Sequence, residues 1–276
     1  MGVNELSKTV AILVIVSWLL IGLVAYSFYN NLVQEYNSLV GKYNELAHNY
    51  NELRNRYFEL WNNSFIHEAN CTAVTIVYYT NYTTTQHSIT LSVPYEKYDA
   101  YHEKDHPHWG EDNLTSSTNY ITYNETIISQ IVATIRNQTH SEEELANALL
   151  DFVQDKNYAM SVRYYPTTEL KYPIETLVEM GGDCDTHSFL YATLMKAAGF
   201  KVLLLFSNET LSDGLHHVAT AVHFENPPEH SLSEYPGASF IYNDEKYYFA
   251  ETTMWGSRVG DLPENFKDLT FQMVPV

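Results

Sequence analysis

A cysteine, a histidine pair and a glutamate are the residues of this 276-residue sequence whose types and surroundings could do chemistry together: Cys184, His216 with His217, and Glu251. Cys184 follows Gly181-Gly182-Asp183 and opens a run in which Phe189, Leu190, Leu194 and Ala198 recur at helical spacing, closed by Gly199. A thiol at a helix N-terminus feels unpaired N–H groups and the positive end of the macrodipole, so its pKa is expected to fall. Asp183 reads most simply as the N-cap, although its charge and that of Asp185 oppose thiolate formation. His216 and His217 open the alternating run HHVATAVHF, and Glu251 lies within YYFAETT; both stretches read as strands. A thiol, an imidazole to take its proton and a carboxylate to orient the imidazole make a cysteine nucleophile for acyl transfer. Successive strand residues face opposite ways, so one histidine of the pair faces the cysteine, and alternation alone does not say which.

With these residues in place, the chain resembles the transglutaminase-like superfamily in its archaeal and bacterial branch, over roughly residues 141–263. Gly181-Gly182-Asp183-Cys184 with Ser188 is similar to that family's nucleophile motif, and Pro173-Ile174-Glu175-Thr176-Leu177 is similar to its lead-in. The resemblance selects His217 as the base, keeps His216 as the alternative, and puts Glu251 where the family more often has Asp. Acyl transfer also needs donors where the oxyanion forms. The Cys184 backbone N–H is one; the resemblance implies an upstream Gln, Trp or Tyr as the other, for which Gln154 and Tyr158 are the candidates.

The elements that must hold these residues can be read around them. Ile127, Ile128, Ile131, Val132 and Ile135 mark a helix between Asn124 and Asn137. Ser141 and Glu144 form a Ser-x-x-Glu capping box before Leu145, Ala148, Leu149, Phe152 and Val153, which share one face of a second helix. Residues 201–206 form a short apolar strand, and residues 239–242 and 246–251 pair as a hairpin around Asn243-Asp244-Glu245. Upstream, AVTIVYYT and HSITLSV read as two strands about a turn near Asn81. Residues 95–120 show no clear period and read as a long loop. Within it His102, His106 and His108, with Glu103 and Asp105, invite a metal reading, but substrate contact or a solvated loop ranks ahead, and no metal or cofactor is assigned.

The first residues have another character. Residues 10–26 are almost wholly apolar, long enough at 1.5 Å per residue to cross a hydrocarbon core of about 30 Å. Leu32, Leu39, Leu46, Leu53 and Leu60 then recur every seven residues, with Tyr36, Tyr43, Tyr50 and Tyr57 between them, as in a coiled-coil seam about 48 Å long. Asn-x-Ser/Thr sequons occur at Asn62, Asn70, Asn81, Asn113, Asn124, Asn137 and Asn208, all after the apolar segment. They favour an interior amino terminus and an exterior remainder. A formal charge of −19 argues against nucleic acid, which needs clustered Lys and Arg. Cys71 and Cys184 are the two cysteines, and a disulfide between them would consume the proposed nucleophile, so no structural disulfide is expected.

These readings combine into an α+β protein with a papain/transglutaminase-like core, helices packed on an antiparallel sheet, preceded by a transmembrane helix and a coiled-coil stalk. The expected divisions are residues 1–28 (anchor), 29–62 (stalk), 63–123 (β-strand and loop extension) and 124–276 (catalytic core). The expected activity is that of a membrane-anchored extracellular cysteine acyltransferase or peptidase, acting on carboxamide or peptide bonds of a protein or peptide substrate at the cell surface. The expected self-association is through the stalk. The alternative is a catalytically silent, stalked structural or binding protein on the same scaffold.

Overall fold

The computed structural model describes residues 18, 22, 26–43, 49, 71–107, 113–156, 160–167, 169–211, 216–229 and 238–276. The chain divides into two units, Met1–Ser64 and Phe65–Val276. In the first, residues 26–43 are helical (α1), and its seam residues Leu32, Tyr36, Leu39 and Tyr43 are 55–71% exposed. Most of the expected anchor, and the stalk beyond residue 43 apart from residue 49, lie outside the described residues. Among the described residues, no helix is long and apolar enough to cross a membrane.

The second unit begins with a hairpin of β1 (Cys71–Thr80) and β2 (Thr85–Pro94), antiparallel and in register along their whole length. Alternate residues of β1, among them Val74, Ile76 and Tyr78, are buried, the period-2 signature of a strand with one face on a core. The segment read as a loop from 95 to 120 is more ordered than that. It contains a helix, α2 (Tyr95–His102), and a 3-10 helix, Leu114–Tyr120. Only Tyr101 of α2 is buried, so the helix carries no apolar stripe for periodicity to find.

Three helices follow: α3 (Thr126–Arg136), α4 (Glu142–Val153) and, after the two-residue strand β3 (Arg163–Tyr164), α5 (Pro173–Glu179). Ser141 caps α4, its hydroxyl accepting from Glu144 N–H at 3.1 Å. The Glu144 carboxylate accepts from His140 N–H at 2.8 Å and from Asn81 N–H at 2.9 Å, so the cap also fastens the hairpin turn to the helix. Next come β4 (Gly181–Gly182), paired in parallel with β3, and α6 (Cys184–Ala197), which packs against α3 and α4 on one side and the main sheet on the other.

The main sheet is antiparallel throughout, with order β7-β8-β6-β5-β9: β5 (Val202–Thr210), β6 (His216–His223), β7 (Ser239–Tyr242), β8 (Glu245–Ala250) and β9 (Phe271–Pro275). A second core holds Leu203, Leu205, Ala219, Ala221, Tyr247, Phe249 and Phe266 together. The chain is thus an α+β fold. One irregularity positions the site: β8 pairs with β6 only as far as Thr220↔Ala250, so Val218 is left with its peptide groups facing no strand on that side.

Candidate active site

The start of α6 occupies the place that β8 leaves. The Val218 backbone N–H faces the Cys184 thiol and favours its thiolate, and Ser188, one helical turn on, donates its hydroxyl to Val218 O at 3.1 Å. Ser188 also meets Thr252 Oγ1 at 3.0 Å, and His187 Nδ1 lies 3.3 Å from Thr252 O. The first turn of the helix is therefore tied to the residue after His217 and to the residue after Glu251. Neither task is legible in the sequence, because a serine and a histidine on a helix signal nothing until the distant segments they bridge are known.

The Gly-Gly that precedes the cysteine has a steric reason. Gly181 has φ +155°, and a Cβ there would stand 2.3 Å from Arg163 O, since β3 and β4 run at backbone contact. Asp183 caps α6 through Thr186, whose N–H and hydroxyl donate to its carboxylate at 3.5 and 3.1 Å. Asp185 is buried, and burial with the adjoining Asp183 carboxylate raises its pKa far above the ordinary value.

His217 and Glu251, 34 residues apart, meet in the interior: Nε2 lies 2.8 Å from Glu251 Oε2. The other carboxylate oxygen accepts from Thr253 N–H at 2.9 Å and from the Thr253 hydroxyl at 2.5 Å. Burial pushes the Glu251 carboxyl upward, but the neighbouring imidazole and the two Thr253 donors outweigh it and hold the group below the usual carboxylate range. Ser207 Oγ accepts from His217 N–H at 2.7 Å, and Phe266 stacks on the imidazole with centroids 4.4 Å apart. With Nε2 paired to Glu251, Nδ1 is the nitrogen left to handle a proton. His216 faces outward, exposed, with Nδ1 3.0 Å from Ser207 O.

The thiol departs from expectation. Burial, then the charge of Asp185, raise the Cys184 pKa well above that of a free thiol, and Asp183 and Glu251 add to the effect against the single Val218 N–H. A helix N-terminus contributes about 0.3–1 kcal/mol, which is under one pK unit and too little to reverse burial. No hydrogen bond joins Cys184 to His217 in this conformation among the described contacts; such bonds are often long in empty sites and tighten with substrate.

Gln154 has a different task from the oxyanion donor expected of it. It is fully buried, its Nε2 donates to Glu251 O at 2.9 Å and to Ser257 O at 3.0 Å, and its Oε1 accepts from Gly256 N–H at 3.1 Å. Both amide hydrogens are thereby engaged, and the side chain fixes the backbone that carries Glu251. Tyr158 lies outside the described residues, as do Asn62 and Asn70; Asn81, Asn113, Asn124, Asn137 and Asn208 are all exposed. Both cysteines are free.

No family model and no curated protein matches this chain. One solved structure, from Cytophaga hutchinsonii, whose own assignment as a cysteine protease is provisional, is similar over 57% of this chain with a TM-score of 0.33 and 9% identity. The match spans 50% of that structure, and a likeness of this size carries no inference about activity.

Proposed function

We propose that this protein is a transglutaminase-like cysteine enzyme that acts on carboxamide or peptide bonds through an acyl-enzyme. The observation that carries the reading is the buried His217–Glu251 pair at 2.8 Å beside a helix that opens on Cys184 and is tied by Ser188 to the carbonyl of the residue after His217. Cys184 Sγ attacks the carbonyl carbon while its proton passes to His217 Nδ1. Collapse of the tetrahedral intermediate breaks the C–N bond, and the proton goes to the leaving amine. Water or a second amine then resolves the thioester. Glu251 keeps the imidazole in the tautomer with hydrogen on Nε2, the Cys184 backbone N–H is one oxyanion donor, and Tyr158 is the candidate for the other once Gln154 is assigned elsewhere.

The wider reading is of an enzyme held at the cell surface by its apolar N-terminal segment, domain outside, with self-association through the heptad helix and a protein or peptide substrate. The exposed Leu and Tyr seam of α1 and the exposed sequons support it. A second reading, a silent scaffold, is favoured by one observation, the raised thiol pKa.

Iodoacetamide labelling across pH separates the two. The enzyme reading expects alkylation of Cys184 near neutral pH that falls at least about tenfold in His217→Ala. Equal labelling of the two proteins would remove the imidazole from the chemistry and leave the scaffold.

A further inference from the structure

Away from the thiol, residues about seventy positions apart build a second polar cluster. The segment His102-Glu103-Lys104-Asp105-His106 spells His-Glu-x-x-His, a spacing that on a continuous helix presents two imidazoles to one metal ion. Here α2 ends at His102, so the rings do not share a helical face; they converge instead on Glu175 of α5. His102 Nδ1 lies 3.1 Å from Glu175 Oε1, and His106 Nε2 lies 2.8 Å from Oε2. Donor atoms of His102, Glu175 and Glu179 all lie within 4.8 Å of one another.

We propose that His102 Nδ1 and the carboxylates of Glu175 and Glu179 bind a divalent transition ion of the zinc class. One imidazole nitrogen with two carboxylate oxygens suits such an ion, and three protein donors leave a position for water. The floor of the site is buried and its mouth is open: the Glu175 side chain is 3% exposed and that of His102 61%, so an ion enters from solvent past the imidazole. Groups that orient such ligands are present as well. His106 holds the second oxygen of Glu175, Tyr98 donates its hydroxyl to Glu179 Oε1 at 2.8 Å, and Tyr172 N–H donates to Glu175 Oε2 at 2.8 Å. Lys171, 2.7 Å from Glu179 Oε2, is the competing cation, and it keeps Gly181 O at 3.1 Å and the Tyr165 hydroxyl at 2.6 Å when an ion takes its share of Glu179.

Because α5 leads through Met180 straight into Gly181-Gly182-Asp183-Cys184, the ion would fasten α2 to the segment that presents the thiol. Binding does not require the thiol to be reactive, so the site stands or falls apart from the proposed activity.

The test uses the untagged full chain in detergent, stripped with chelator and titrated with Co²⁺ followed by its d–d absorption, then with Zn²⁺ in competition. The expected result is one ion per chain, unchanged in Cys184→Ala, weakened more than about a hundredfold in His102→Ala and about 10–100-fold in His106→Ala, which loses only an orienting group. His102 is exposed, so its replacement leaves folding intact even where Glu175→Gln does not. Binding that survives His102→Ala, binding lost in Cys184→Ala, or no Co²⁺ uptake would each overturn the proposal.

Discussion

Replacing Gln154 with methionine tests whether this side chain is a fastening of the Glu251 segment or an oxyanion donor. Methionine keeps the length and most of the volume, so no sizeable cavity forms, while all three hydrogen bonds of the amide are lost. Glu251 O is then buried without that donor, at about 1–3 kcal/mol. Ser257 and Gly256 are part-exposed and can turn to water, so each loses about 0.5–1 kcal/mol. The sum is about 3 kcal/mol. For a domain of this size that lowers Tm by about 6–12 °C. Thermal melts of the full chain in detergent, followed by circular dichroism, read it, with exposed Gln138→Met as the control expected within about 0.5 kcal/mol of the parent. A Gln154→Met protein that melts with the parent yet loses acyl-transfer turnover would refute the fastening and restore the oxyanion assignment.

The remaining predictions concern the acid and the glycines. Glu251 is held below its ordinary pKa, so the folded chain favours the carboxylate; its contribution is full above pH about 4.5 and is lost as pH falls below that. The Tm of the parent should therefore drop more steeply from pH 5 to pH 3 than that of Glu251→Gln, and parallel curves would contradict the pairing. Gly199 has φ +92° with open space around its Cβ position, so Gly199→Ala should cost about 1 kcal/mol from backbone strain alone. Gly181→Ala adds a 2.3 Å approach to Arg163 O and should cost about 3 kcal/mol or more, read in the same melts; equal costs would mean that β3 moves aside freely.

What could be read in advance follows from how local each signal is. The start of α6 at Cys184, with Asp183 as cap and Gly199 as stop, is carried by residues within one helix and its flanks. The β7–β8 hairpin is announced by Asn243 and Asp244, which take φ 49° and 63° at the turn. The partners of Gln154 are not legible in the sequence, because a glutamine ending a helix looks alike whether its amide meets solvent or the backbone a hundred residues on. Phe266 over the His217 ring, Ser188 between β6 and the segment after β8, and the two histidines on Glu175 share that property. Each is defined by a partner 30 or more residues away. The thiol shows the same limit in electrostatic form: the helix end is visible in the sequence, but the burial that outweighs it exists only once the sheet has formed.

That balance bears on how such a thiol would be used. A buried imidazole–carboxylate pair is a poor stabiliser, since apolar residues of the same volume hold a core together as well or better. Here the pair is nonetheless complete: both Glu251 oxygens have partners, and the imidazole is wedged between the carboxylate and Phe266. Beside it, the thiol is disfavoured as a lone anion by burial and by Asp185, Asp183 and Glu251. Sending the thiol proton to His217 leaves an imidazolium bonded to the Glu251 carboxylate, and the thiolate is compensated by that cation. A nucleophile made in this way exists as a pair or not at all, which is why its reactivity should depend on His217 far more than on the helix end that first drew attention to Cys184.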